Sequence, residues 1–169
     1  PPSIFQKIKK KDILDIGFEG LKIQIKQKNS QTCKAKVIRS GILENNKGIF
    51  ITNRKVNIEY LTKKDFRALE IGKKNKINNY ALSFVNNSQD ILKFKNILKR
   101  ENKIFKLETK SAMKNLKSIL KVGKNFLIDR GDLSKEIGIE NIPVAQRKIL
   151  KLANLKKKNI YIATNFLES

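Results

Sequence analysis

The sequence predicts an α/β fold, with a sheet of parallel strands alternating with helices and a small all-β segment ahead of it. Three observations carry this expectation. Up to about residue 50, apolar and polar residues alternate between glycine- and asparagine-rich turns, as in half-buried strands. From residue 61 onward, short apolar runs alternate with segments whose apolar residues recur at helical spacing. Repeated strand–helix–strand units bring strands together in parallel, because a crossover helix returns the chain to the same end of the sheet.

The elements follow in order. LKIQIKQ (21–27) and CKAKVIRSG (33–41) read as strands, separated by turn chemistry at Gly17, Gly20, KNSQ, Gly41 and ENNKG. This segment reads as β structure without a helix. Thr62 and Asp65 have the spacing of a helix cap with an acidic residue three positions on. A helix through Phe66, Leu69 and Ile71 should follow and end near Gly72. YALSFV (80–85) is a short strand, and Ser88 is the expected cap of a helix burying Ile91, Leu92, Phe94, Ile97 and Leu98. KIFKLE (103–108) is the next strand. TKSAMKNLKSIL then places Met113, Leu116, Ile119 and Leu120 on one helical face. NFLID (125–129) and NIYIAT (159–164) are the last strands, flanking a helix with Pro143 in its first turn, where a missing N–H costs nothing.

Composition narrows the function. The chain has 169 residues, enough for one domain with a sizeable core and a small second one. No apolar run approaches the roughly 18–20 residues that span a bilayer, and the first residues lack the apolar stretch of a secretory signal, so a cytoplasmic protein is expected. The single Cys33 cannot form an internal disulfide, and the absence of histidine excludes a Cys/His metal site. Lys and Arg total 38 against 15 Asp and Glu, a net charge of +23. That charge would suit a polyanion. Lysine far exceeds arginine, however, alongside abundant Asn and Ile, and the lysines are spread over whole helix surfaces. Those are the marks of AT-rich coding drift. Nucleic acid is therefore not the expected partner, whereas anionic small substrates are.

In a parallel sheet, the C-terminal ends of the strands share one face, and chemistry collects there. Those ends carry Ser83, then Lys106 and Glu108, then the charged run Asp129 to Asp132, then Thr164. Lys106 and Glu108 are two residues apart and share one side of their strand. Free N–H groups near Gly131 and Asp132, at the start of a helical turn, suit an anion. Glu108 and Asp132 suit a hard divalent cation such as Mg²⁺. Each residue also has a plainer reading: a solvated ion pair for Lys106 and Glu108, a helix cap for Asp132, a core residue for Thr164.

The same residues resemble a known family. LIDRGDLSKEIGIENIPVAQRKILKLANLKKKNIYIATNFLES resembles the pyruvate kinase pattern A-R-G-D-L-G-x-E, I-P-x-x-Q-K, A-T-x-x-L-E-S. FKLE resembles its S-K-I-E, LTKKD and ALSFV resemble its L-T-x-K-D and A-L-S-F-V, and SGILENNKGI resembles the segment leaving its lid domain. The resemblance implies part of a (β/α)8 TIM barrel over residues 51–169, with residues 1–50 forming the C-terminal part of a β-rich lid. It implies the glycolytic phosphotransferase reaction, in which phosphoenolpyruvate and ADP give pyruvate and ATP. Lys106 would stabilise the phosphoryl group in transit, and Glu108 and Asp132 would bind Mg²⁺ or Mn²⁺. Gly131, Asp132 and Thr164 would hold the substrate carboxylate, with Thr164 near the proton path. A K⁺ site would lie outside this chain, and the complete enzyme would be a homo-oligomer.

Departures from the pattern accompany the match. Asp129 stands where the family has Ala, Ser134 where it has Gly, and Thr109-Lys-Ser-Ala112 where it has Asn-x-x-Gly. The lid exit has Ser40-Gly41 for Gly-Gly, followed by FITN instead of Asn-x-Pro-Gly. The chain reads as beginning inside the lid and stopping after the seventh barrel strand, a fragment or degenerate relative that is inactive by itself. Two other classes stay open from sequence: a metal-dependent aldolase or lyase acting on pyruvate enolate, and a non-catalytic basic binding protein.

Overall fold

The computed structural model describes residues 2–17, 20–45, 47–54, 56 and 60–163. The chain divides into two compact units, Pro1–Glu59 and Tyr60–Ser169. Their boundary lies later than residue 50, where the sequence places the end of the β-rich segment.

The first unit is a four-stranded antiparallel sheet in the order β3-β2-β1-β4, formed by β1 (Ile13–Ile16), β2 (Leu21–Lys28), β3 (Cys33–Arg39) and β4 (Ile49–Ile51). A short helix, α1 (Pro2–Lys7), precedes the sheet and is not foreshadowed by the sequence pattern. Alternation buries Leu14, Ile16, Leu21 and Ile25 as one small core, against which Ile8, Ile23, Cys33 and Ile51 pack. Asp12, 2% exposed, accepts hydrogen bonds from Arg54 at 2.6 and 2.7 Å and from the Lys9 N–H at 2.7 Å. The bonds from Arg54 hold the Asp12 carboxyl below its usual range, against the opposing pull of burial. A depressed acid gives stability that is present above its ordinary pKa of 3.8 and lost as pH falls through the folded value. Asp12→Asn should therefore cost the unit about 1–3 kcal/mol at neutral pH. The difference from the parent should close well below pH 4. Amide exchange at Ile25, whose N–H donates to the Asp12 carbonyl at 2.9 Å, reads this directly. A deficit unchanged by acid would mean that the pair is not what Asp12 contributes.

The second unit is built on a parallel sheet in the order β5-β6-β7-β8. Its strands are β5 (Asn79–Leu82), β6 (Asn102–Leu107), β7 (Asn125–Asp129) and β8 (Asn159–Ala163), every adjacent pair parallel. The four strands expected from sequence are present, alternating with α2 (Lys63–Lys74), α3 (Ser88–Ile97), α4 (Lys110–Lys114), α5 (Leu116–Val122), α6 (Arg130–Ile137) and α7 (Ile142–Leu155). Among the described residues the sheet is open, not a closed barrel. One set of alternate strand residues, Leu82, Phe105, Leu107, Phe126 and Ile128, is buried in a single core with Ile91, Phe94, Leu116, Ile119 and Ile149 from the helices. The other set, including Lys106 and Asp129, lies on the opposite face. No described helix is long and apolar enough to cross a membrane.

Local chemistry explains where the elements start, and in places corrects the sequence reading. Thr62 and Asp65 form the expected reciprocal cap of α2. Phe66 and Ile71 are exposed there, 43% and 54%, because the buried face of α2 runs through Leu69 and Gly72 instead. The cap of α3 is Asn87, not Ser88: its Oδ1 accepts from Gln89 and Asp90 while Asp90 accepts from Asn87 in return. Leu92 is 38% exposed, off the inner face expected of it. The single helix expected over TKSAMKNLKSIL is broken at Asn115, whose amide donates to the Asn86 carbonyl at 2.9 Å. The helix expected from Ile139 begins with a 3₁₀ turn over Ile139–Asn141 before α7. β5 ends at Leu82 rather than continuing to Val85, since the chain turns at Phe84, where φ is 54°.

Candidate active site

Strand register assembles the site. Leu107 pairs with Ile128 across β6 and β7, so the next residues, Glu108 and Asp129, leave the sheet side by side. Lys106 lies on the same face as both, one alternation back. Its Nζ is 2.5 Å from Glu108 Oε1 and 3.0 Å from Asp129 Oδ2. The lysine thus bridges two carboxylates from adjacent strands.

Glu108 is fully buried. Its Oε2 accepts the Phe84 N–H at 2.6 Å, which explains the turn that ends β5. Its Oε1 pairs with the Lys106 ammonium. Burial pushes the Glu108 carboxyl above its ordinary value, and Lys106 and the Phe84 N–H offset only part of that. For Lys106, burial works to lower the pKa, but the two carboxylates outweigh it and raise the value, so the ammonium keeps its charge. Asp129 is likewise pushed up by burial, yet ends below its ordinary value because Lys106 and the backbone N–H groups of Asp132 and Gly131 favour the charged form.

α6 starts at this point. Asp129 caps it, its Oδ1 accepting the Asp132 N–H at 3.4 Å. Asp132 is therefore the third residue of the helix, neither its first nor its cap, and lies 3.9 Å from Lys135. One carboxylate oxygen from each of Glu108, Asp129 and Asp132 falls within 4.8 Å of the others. An octahedral Mg²⁺ binds oxygens at about 2.0–2.1 Å, so its opposite ligands stand about 4 Å apart. The hard oxygen donors and their spacing fit a divalent cation.

Of the residues singled out from sequence, Lys106, Glu108, Gly131 and Asp132 come to one place. Ser83 lies exposed just past β5 and takes no part in these ion pairs. Thr164 lies outside the described residues. Sequence reasoning counted Asp129 in the charged run at the strand ends and as a departure from the family pattern, but gave it no role in the site. The signal was available: FKLE and LIDR place Glu108 and Asp129 at equivalent positions of adjacent strands. Two other departures have local explanations. Thr109 caps α4, its Oγ1 accepting the N–H of the fully buried Ala112 at 2.9 Å. The Ser134 hydroxyl donates to the Gly131 carbonyl at 2.7 Å.

Comparison with known proteins identifies the family of the chain. The family model described as pyruvate kinase, barrel domain, matches residues 2–169. A pyruvate kinase of Thermotoga maritima is 30% identical over 99% of this chain and 37% of its own length. One of Bacillus licheniformis is 32% identical over 93% of this chain and 28% of its own. Plastidial pyruvate kinase 2 of Arabidopsis thaliana is 29% identical over 94% and 28%. The chain thus spans roughly a third of the length of these relatives. With the family model matched from residue 2 to residue 169, the chain belongs to the pyruvate kinase barrel-domain family.

Proposed function

We propose that this chain contributes to phosphoryl transfer from phosphoenolpyruvate to ADP, yielding pyruvate and ATP, as part of a (β/α)8 barrel, with residues 1–50 forming the C-terminal part of its β-rich lid. The observation that carries this reading is the convergence of Lys106, Glu108 and Asp132 at the C-terminal ends of adjacent parallel strands, in a chain of this family. A cytoplasmic setting, a K⁺ requirement met outside this chain and assembly into a homo-oligomer complete the proposal. Family membership tells against the aldolase, lyase and basic-binding-protein alternatives.

Glu108 and Asp132 would hold Mg²⁺ or Mn²⁺, with Asp129 within reach. A cation bound there supplies charge neutralisation to phosphoryl and substrate oxygens. Lys106 carries a fixed positive charge to where the phosphoryl group passes, and being charged beforehand it needs no reorganisation during transfer. The N–H groups of Gly131 and Asp132, at the positive end of α6, orient the substrate carboxylate. Thr164, following β8, would stand near the enolate carbon as it takes its proton.

Glu108→Gln and Asp132→Asn keep shape and remove charge. In a coupled ADP-to-ATP assay on the full-length protein, each should raise the Mg²⁺ concentration for half-maximal rate at least about tenfold, a loss of roughly 1.4 kcal/mol of cation binding. Glu108→Gln should not lower the melting temperature substantially, since it removes a buried charge while Lys106 keeps Asp129. Parent-like Mg²⁺ titration of both variants would remove the cation from these residues.

A further inference from the structure

Asp129 is the one charged member of the cluster that the family pattern does not provide for. Its carboxylate engages three donors at once. Oδ2 lies 3.0 Å from the Lys106 ammonium, Oδ1 accepts the Asp132 N–H at 3.4 Å, and the Gly131 N–H also turns to it. These are the donors assigned above to the substrate: the N–H pair for its carboxylate and Lys106 for its phosphoryl group. Beside them the buried Glu108 Oε1, paired with the same lysine at 2.5 Å, faces into the same cluster. A helix cap alone would not account for this arrangement. An N-cap side chain needs only the N–H groups of the first turn, whereas Asp129 also reaches across to a lysine on the neighbouring strand.

We propose that Asp129 is an internal anion, a specificity-determining residue whose carboxylate occupies the donor set used by the substrate and so sets the affinity for anions at the β6–β7 strand ends. The inference rests on the function proposed above. An incoming carboxylate or phosphate must displace Asp129 from Lys106 and the α6 N–H groups, or bind beside a third negative charge. With Glu108 and Asp132 oxygens within 4.8 Å, that repulsion is short-range and only weakly screened. Alanine at this position, as in the family pattern, offers no such competitor. Anions carrying both a carboxylate and a phosphate gain most from its removal, since they need both halves of the donor set.

The test is titration calorimetry on the full-length protein, using phosphoenolpyruvate and, separately, inorganic phosphate as probes, with Mn²⁺ binding followed in parallel. The parent is compared with Asp129→Ala and with Asp129→Asn, which retains a helix-capping side chain and guards against failure to fold. Asp129→Ala should bind phosphoenolpyruvate at least about tenfold tighter and phosphate by a smaller factor, with Asp129→Asn between variant and parent. Tightening for phosphate without any preference for phosphoenolpyruvate would sustain the internal anion while removing the proposed substrate. Phosphoenolpyruvate turnover in the parent, with anion affinity unchanged or weaker in both variants, would overturn the internal anion and leave the proposed reaction standing. Weaker Mn²⁺ binding without tighter anion binding would make Asp129 a cation ligand and likewise overturn the proposal.

Discussion

If the proposed phosphoryl transfer holds, Lys106→Met is expected to lower turnover of the full-length protein by on the order of 100-fold or more, with KM for phosphoenolpyruvate moving only a few-fold. The asymmetry follows from where the charge is needed. A lysine that met substrate and transition state equally would change KM, whereas one that meets a group in transit changes the rate constant. A 100-fold loss corresponds to about 2.7 kcal/mol of transition-state stabilisation, in line with removal of a preorganised donor elsewhere. The structure adds a reason for the preorganisation: Lys106 is held between Glu108 and Asp129 and kept charged by them, so its position does not depend on the substrate. Methionine keeps the length of the stem and its packing. Steady-state kinetics at saturating Mg²⁺ decide the matter. A rise in KM with turnover intact would reduce Lys106 to recruiting substrate.

Phe126→Ala destabilises the second unit by about 3–5 kcal/mol, the range for deleting a large buried ring. Phe126 is fully buried on β7, with its ring 6.0 Å from that of Phe105 on β6, which in turn meets Phe94 on α3 edge-on at 6.3 Å. This aromatic row ties three elements together beneath the strand that delivers Asp129. Gly123 packs directly on it: a Cβ there would stand 2.2 Å from the Phe126 ring, so the ring fills its site closely. Urea unfolding monitored by amide exchange in β6 and β7 measures the cost. A loss below about 1 kcal/mol would show that the surroundings collapse and that the row is not a single packed body.

The sequence by itself determined the class of most elements and the parallel strand–helix alternation of the second unit. Period-two alternation and helical spacing are local properties, and they survive folding because each buries one face of its own element. That sufficed for the parallel sheet, for the Thr62 cap and for Lys106 and Glu108 sharing a face. It also sufficed for the family, since the motifs are written in residue order. Tertiary structure alone decided the rest. Which residue of Asn87-Ser88 caps α3 depends on where Asp90 returns its bond, and whether Phe66, Ile71 or Leu92 is buried depends on what lies opposite. Asn115, where the helix breaks, bonds through its side chain to a carbonyl twenty-nine residues away. Asp129 reads as an intruder in the sequence because its partner, Lys106, is distant along the chain. The pairing of Leu107 with Ile128 sets Asp129 beside Glu108, which the matching positions in FKLE and LIDR had signalled but not fixed. Electrostatic partners are chosen by register across strands, and register is a property of the assembled sheet.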